Sequence, residues 1–323
     1  VVAESFNLLP ELRDYFGRVL VSRDTADAFA EWRQRQTFNL GRETMSLGYD
    51  GDQAVRHVLT PEDNAQQLQN LDRLIANMRE YCEVMPLEGG SEPETETIVQ
   101  MGLGDLLEPI RLAHRHNMPL LSDDLHYRQL AAMLGVPRST WLQAVGLDLL
   151  DQSLMTRHDY ALLAARLANR RHGFVTTDAE TLLELLELES DEEDYAFKIL
   201  AGNVGGQNAD LRSHCEVVIE FAARVWLSPC ASWRQGRAIG RLLENLLKGR
   251  GEQAGVLLDF IDDRLARHRP SLNERSDLAR DYLRGWRRGH FMDARPSQSG
   301  GSRHQRKRGL VAAVQAACAK GSA

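Results

Sequence analysis

The sequence predicts an α/β fold followed by an all-helical region, and three features of its 323 residues indicate this. The apolar content of 43% is that of an ordinary globular protein. In the first part of the chain, short apolar runs alternate with segments of helical periodicity, whereas after about residue 139 the periodicity is almost entirely helical. Because strands that alternate with helices are joined by right-handed crossovers, we expect a mostly parallel sheet with helices on both faces.

The composition also argues against several classes of protein. The 46 acidic and 39 basic side chains give a net charge of -7, so overall charge does not indicate a nucleic-acid partner. The 4 cysteines are too scattered for a disulfide framework or a zinc knuckle. No apolar run approaches the ~20 residues that cross a bilayer, and no secretory signal is recognisable, so we expect a cytoplasmic protein without a membrane partner. The start at Val1 instead of Met indicates a processed chain or a fragment.

The first elements are predicted to be a helix, a strand, a second helix and a hairpin. The segment AESFNLLPELRDYF has helical spacing, RVLVS is a short β-branched run, and DTADAFAEWRQRQ is helical with Asp24 as its N-cap. The dipeptide Asp50-Gly51 suits a tight turn, so a hairpin insertion is predicted at about residues 43–58. A Thr, a Pro and two acids then begin the helix of TPEDNAQQLQNLDRLIANMREYC.

The next predicted strand ends at two adjacent aspartates. After the loop PLEGGSEPETE, a helix is expected to begin near Asp105, and the apolar run PLL follows it. That run ends at Ser122, Asp123 and Asp124, and a helix begins immediately afterwards. In sheets of this kind, ligands bind at the carboxyl ends of the strands, so this junction is a candidate site.

The two aspartates admit two interpretations. One Asp before a helix caps the backbone N–H groups and stabilises the helix by about 1 kcal/mol, but a second one has no local partner. Two neighbouring carboxylates repel each other unless a cation or a proton intervenes. Further acids lie near other strand-to-helix junctions, namely Asp24, Asp27, Glu31, Asp105 and Glu108. If these junctions meet at one rim of the sheet, their oxygens suit Mg²⁺ or Mn²⁺.

The remainder of the chain is predicted to be helical and then unfolded. We expect an α/β domain over residues 1–188, a helical domain over 189–292 and a flexible basic tail over 293–323. The tail contains a cluster of basic side chains, Arg303, Arg306, Lys307 and Arg308. Such a cluster either binds an RNA backbone without reading its sequence or serves as a solubilising linker.

The order of these segments resembles the PIN-like domains, a family of metal-dependent ribonucleases. The resemblance covers roughly residues 1–188 and is sharpest in GDLLEPIRLAHRHNMPLLSDDLHYRQLAAMLGV. It implies a three-layer α/β/α fold, with Asp105 as the family's acid at a helix start and Asp123 or Asp124 as its acid at a strand end. The family's first strand, with its aspartate, is missing. Ala28 occupies the position of a family Glu, beside Asp27 and one turn before Glu31.

The resemblance implies one leading function and one competing function. The leading hypothesis is a bacterial-type endoribonuclease that uses Mg²⁺ or Mn²⁺, with Asp105, Asp123 and Asp124 as catalytic metal ligands and Asp27 or Glu31 as supporting acids. In this reaction a metal-activated water cleaves the RNA phosphodiester bond. The competing hypothesis is a catalytically degenerate PIN-like scaffold whose helical domain binds a protein or RNA partner.

Overall fold

The protein consists of two compact units, residues 1–145 and residues 146–323. The computed structural model describes residues 8–50, 53–86, 107–170, 172, 175–188, 194–206, 210–267, 275–290 and 292. This division falls earlier in the chain than the boundary at residue 188 that the sequence suggests. Residues after Gly146 join the later helices because the buried side chains of Ala161, Ala164 and Ala165 are part of the second unit's hydrophobic core.

Helices and short strands alternate in the first unit, as the sequence predicts. Its strands are β1 (Leu20–Ser22), β2 (Thr44–Asp50), β3 (Gln53–Leu59), β4 (Glu83–Met85), β5 (Leu120–Leu121) and β6 (Ser139–Thr140). Its helices are α1 (Leu8–Phe16), α2 (Arg23–Phe38), α3 (Pro61–Tyr81), α4 (Leu107–Arg115) and α5 (Leu125–Met133).

The strands of the first unit form three separate pairs. Among the described residues, β1 pairs in parallel with β4 and β5 pairs in parallel with β6, while β2 and β3 form an antiparallel hairpin. The hairpin lies where the Asp50-Gly51 dipeptide predicts it. The predicted parallel pairing is therefore present, but in two short pairs. The strands β1 and β4 pair over three residues, and β5 and β6 pair over two.

Local sequence explains where the most regular helix of the first unit begins. Thr60 caps α3 by accepting the N–H of Asp63, whose carboxylate accepts the N–H of Thr60 in return, at 2.9 Å. Pro61 follows at the first helical position, where its missing N–H costs nothing. The apolar side of this helix packs Leu71, Leu74 and Ile75 against Phe29 of α2.

In its described residues the second unit contains helices joined by loops and no strand, in agreement with the helical domain predicted from the sequence. From residue 142 onwards the helices are α6 (Leu142–Asp151), α7 (Arg157–Asn169), α8 (Ala179–Leu188), α9 (Tyr195–Ala201), α10 (Leu211–Arg224), α11 (Ser232–Leu247), α12 (Gly251–Arg267) and α13 (Ser276–Gly289), with a 3₁₀ turn at Val225–Leu227. Phe197 and Phe221 are both buried in the hydrophobic core that α7 to α13 share. None of the helices that can be described is both long enough and apolar enough to span a membrane.

Candidate functional site

The carboxyl end of β1 leads directly into α2 through a buried serine. Ser22 is only 2% exposed. Its Oγ accepts the N–H of Thr25 at 3.3 Å and lies 2.8 Å from the hydroxyl of Thr25. Ser22 is therefore the N-cap of α2, and the prediction that Asp24 is the cap is wrong. Asp24 instead lies in the first turn of the helix.

A carboxylate from another helix also contacts this helix start. Glu108, on α4, is 8% exposed, and its Oε2 accepts the backbone N–H of Asp24 at 2.7 Å. Because the amino end of a helix carries partial positive charge, this position favours a carboxylate. A buried carboxylate is costly unless it accepts hydrogen bonds, and this contact supplies one. Glu108 thus connects the start of α4 to the end of β1.

Asp123 follows β5 and bonds to a later part of the chain. Its Oδ1 accepts the N–H of Leu142, the first residue of α6, at 2.8 Å. The residue is half-buried. The partner of this second aspartate is therefore not local in sequence, since it lies 19 residues further along the chain.

Asp124 is the N-cap of α5. Its Oδ1 accepts the N–H of Tyr127 at 3.0 Å, and its own N–H donates to the hydroxyl of Ser122 at 3.2 Å. Asp124 itself is exposed. The side chain of Tyr127 is partly buried, and this burial raises the pKa of its hydroxyl to about 12. The capping interpretation of Asp124 is confirmed. The two adjacent aspartates therefore bond to the starts of two different helices.

The supporting acids predicted on α2 are exposed. Asp27 and Glu31 both lie on the solvent-facing part of the helix, and Glu31 pairs with Arg35 at 3.1 Å. Arg35 is one turn further along the same helix, so this pair is a surface contact that contributes little to stability.

The remaining site residues of the leading hypothesis lie outside the described residues. These are Asp105 and the basic cluster of the tail, namely Arg303, Arg306, Lys307 and Arg308. Within the residues that are described, no three or more His, Cys, Asp or Glu side chains are grouped so that they could hold a metal ion. The acids that the structure describes are therefore not grouped into such a site by themselves.

Two features of this region were not recognised from the sequence. Ser22 was missed because Ser and Asp are both good N-caps. When two such residues lie one or two positions apart, the sequence pattern alone does not decide which of them caps the helix. The role of Glu108 was missed because its partner is 84 residues away. One signal was available, since Glu108 lies among apolar residues in LLEPIRL at helical spacing.

Comparison with known protein families finds a match in the first part of the chain. Residues 1–133 match the model of a family described as the PIN domain associated with the TPR-GreAB-C-PIN system. This part of the chain is a PIN-like domain. The resemblance seen in the sequence is thus confirmed for these residues, although it was expected to extend to residue 188. No curated protein and no solved structure matches the chain.

Proposed function

We propose that the PIN-like domain is a metal-dependent endoribonuclease, with Mg²⁺ or Mn²⁺ held by Asp105, Asp123 and Asp124. The observation that carries this proposal is the position of Asp123. It lies in the region that matches the PIN family, at the carboxyl end of a parallel strand, half-buried and held by the N–H of Leu142. Because the side chain of such a carboxylate is already held in place, it loses little conformational freedom when it binds a ligand.

The helix-capping contacts of the aspartates are compatible with metal binding. A carboxylate has two oxygens and about four lone-pair positions, so a hydrogen bond from a backbone N–H does not by itself prevent it from binding a cation. In this proposal, the N–H groups of Leu142 and Tyr127 orient the carboxylates of Asp123 and Asp124. A divalent ion would supply an activated water and neutralise charge on the phosphate.

Asp27 and Glu31 have a supporting role in this proposal. Both are exposed on α2, the helix whose start bonds to Glu108. They would attract the ion electrostatically. Glu31 would then break its surface ion pair with Arg35. Breaking it costs little because exposed ion pairs contribute only about 0–1 kcal/mol.

Calorimetric titration of the full chain with Mn²⁺ tests this function, together with cleavage of a labelled RNA. The variants Asp105→Asn and Asp123→Asn remove a negative charge, and Asn at residue 123 still offers an oxygen to the N–H of Leu142. Each is expected to weaken Mn²⁺ binding at least tenfold and to abolish cleavage. Asp14→Asn, an exposed acid on α1, is the control. Unchanged Mn²⁺ binding and cleavage in both variants would reject the assignment.

A catalytically silent scaffold is the second candidate. It is favoured by one observation, that Glu108, Asp123 and Asp124 each accept a backbone N–H at a helix start, so helix capping alone accounts for them. The family description names a system that also includes TPR and GreAB-C, which supports a protein partner for the helical unit. In this case the full chain binds no Mn²⁺ and cleaves no RNA, and its binding to the partner or to RNA persists in chelator.

A further inference from the structure

The carboxyl ends of β5 and β6 carry an arginine that stacks on a tryptophan. The guanidinium carbon of Arg128 lies 5.1 Å from the centre of the Trp141 ring. Nη1 of the same guanidinium donates to the backbone C=O of Ser122 at 2.6 Å. A cation above the face of an indole is attracted by the negative charge of that face. The guanidinium is therefore held in place by one contact from each strand end.

The local structure explains why Arg128 reaches this position. Asp124 caps α5, and Arg128 lies in the first turn of that helix, where its backbone N–H donates to the C=O of Asp124 at 3.1 Å. Long side chains on a helix point back towards its amino end, so the side chain of Arg128 extends towards the end of β5. Trp141 immediately follows β6, which pairs in parallel with β5. Parallel strands end at the same edge of a sheet, so the two side chains meet there.

The pair lies beside one of the proposed metal ligands. Ser122, which accepts the bond from Arg128, precedes Asp123 in the chain. Leu142, whose N–H donates to Asp123, follows Trp141. The stacked pair therefore lies alongside the hydrogen bond that joins Asp123 to Leu142.

The pair offers two groups that a nucleotide can contact. Neither the carbonyl of Ser122 nor the ring of Trp141 carries a net charge, so these two contacts do not neutralise the cation of Arg128. A guanidinium has five N–H donors, and its planar shape suits phosphate oxygens. Trp141 is 38% exposed, which leaves ring surface on which a base can stack. Such stacking is tolerant of sequence because every base has a π-face.

We propose that Arg128 and Trp141 bind one nucleotide of the RNA next to the bond that is cleaved, with Arg128 on a phosphate and Trp141 on the base. The inference rests on the proposed function, because it takes RNA as the substrate and Asp123 as a ligand of the metal. It adds a preference for single-stranded RNA. A base within a duplex is already stacked and paired, so it is not available to Trp141.

RNA binding in the presence of a chelator tests this proposal without cleavage. Fluorescence anisotropy of the full chain with a labelled single-stranded RNA, and with the same strand annealed to its complement, gives the two dissociation constants. Trp141→Leu is expected to weaken binding of the single strand by about fivefold or more, and to leave duplex binding unchanged, because it removes only the stacking surface. Arg128→Gln is expected to weaken both, because both forms carry phosphates.

The helical unit supplies the matched control, Trp233→Leu. Trp233 is 53% exposed, and the guanidinium carbon of Arg237 lies 4.9 Å from the centre of its ring. The control therefore disrupts a second exposed pair of the same chemistry, and it is expected to keep both affinities. Trp141→Phe retains an aromatic face and is expected to recover most of the affinity for the single strand. Duplex binding reports on folding, since a variant that does not fold loses both affinities.

Three results would overturn the proposal. The first is equal affinity of the unchanged chain and Trp141→Leu for the single strand, which would make the pair a contact that only stabilises the ends of β5 and β6. The second is an equal loss of single-strand and duplex binding in Trp141→Leu, and the third is the absence of RNA binding by the unchanged chain.

Measurements with Mn²⁺ separate this proposal from the proposed function. If the full chain binds single-stranded RNA through Trp141 but neither binds Mn²⁺ nor cleaves, the nuclease proposal alone fails. If the unchanged chain binds Mn²⁺ and cleaves RNA, and Trp141→Leu binds and cleaves the single strand equally well, the role of the stacked pair alone fails.

Discussion

The carboxylate of Asp123 accepts the backbone N–H of Leu142, with 2.8 Å between the two atoms. This bond connects the end of β5 to the start of α6, and it crosses 19 residues of the chain. The same carboxylate is a proposed metal ligand, so its structural and chemical roles have to be measured separately. Substitutions that keep or remove the hydrogen-bond acceptor separate them.

Replacing Asp123 by Ala is expected to lower the free energy of unfolding by about 1 kcal/mol, the usual cost of a lost helix cap. Asp123→Asn keeps an oxygen acceptor and is expected to change stability by only a few tenths of a kcal/mol. Urea unfolding followed by circular dichroism measures both. If the two variants are equally destabilised, the negative charge, and not the hydrogen bond to Leu142, holds this junction.

The bond between Glu108 and Asp24 gives a second prediction about the same unit. Glu108→Ala removes the acceptor and leaves the N–H of Asp24 without that partner, at a cost of about 1–3 kcal/mol. Glu108→Gln retains an acceptor oxygen and is expected to cost less. The urea midpoint of the two variants measures the difference. Equal midpoints would show that the carbonyl oxygen of Gln cannot replace the carboxylate at this helix start.

How far the sequence predicts this fold depends on the distance between interacting residues. The capping box of Thr60 and Asp63 is predictable because its two members are three residues apart and their chemistry is local. The cap of α5 by Asp124 is predictable for the same reason. Alternation of strands and helices likewise predicts parallel pairing without any knowledge of which strands pair.

The candidate site is less predictable because its contacts are long-range. Nothing in the local pattern around Asp123 indicates Leu142, and nothing around Asp24 indicates Glu108. The sequence places several acids at strand-to-helix junctions but cannot show which of them converge. Asp27 illustrates this limit, since it lies next to the family's acid position and is nevertheless exposed on α2.

A third prediction concerns the pH dependence of the helical unit. His214 accepts the N–H of Gly205 through Nδ1, at 2.8 Å. Burial lowers the pKa of His214 below its usual 6.5, an effect opposed by nearby Asp210 and reinforced by Arg250. The unfolded chain therefore binds a proton more readily than the folded chain does. The contribution of neutral His214 to the free energy of unfolding is therefore fully present at pH values above the pKa of the unfolded chain. It is lost as pH falls from about 6.5 through the lower pKa of the folded protein.

Thermal unfolding at a series of pH values between about 7.5 and 5 measures this dependence. The midpoint is expected to fall on acidification in the unchanged chain and to fall less steeply in His214→Gln, which has no titratable group at this position. His158→Gln, which replaces an exposed histidine of α7, is the control and should keep the slope. An identical slope in all three proteins would assign the pH dependence to other groups.

The last prediction concerns the basic cluster of the tail, Arg303, Arg306, Lys307 and Arg308. If these side chains bind RNA phosphates, the logarithm of the binding constant falls with the logarithm of salt concentration by about 0.7 per phosphate contact. Replacing all four residues by Gln is therefore expected to reduce that slope by about 3. Fluorescence anisotropy with a labelled single-stranded RNA measures it.

Deletion of residues 309–323 is the matched control for this experiment, because it shortens the tail and leaves the cluster intact. The control is expected to keep the full salt dependence, since phosphate contacts depend on the positive charges and not on the length of the tail. A salt slope that is the same with and without the four charges would mean that the cluster is a solubilising linker, and that RNA, if it binds, contacts the folded units.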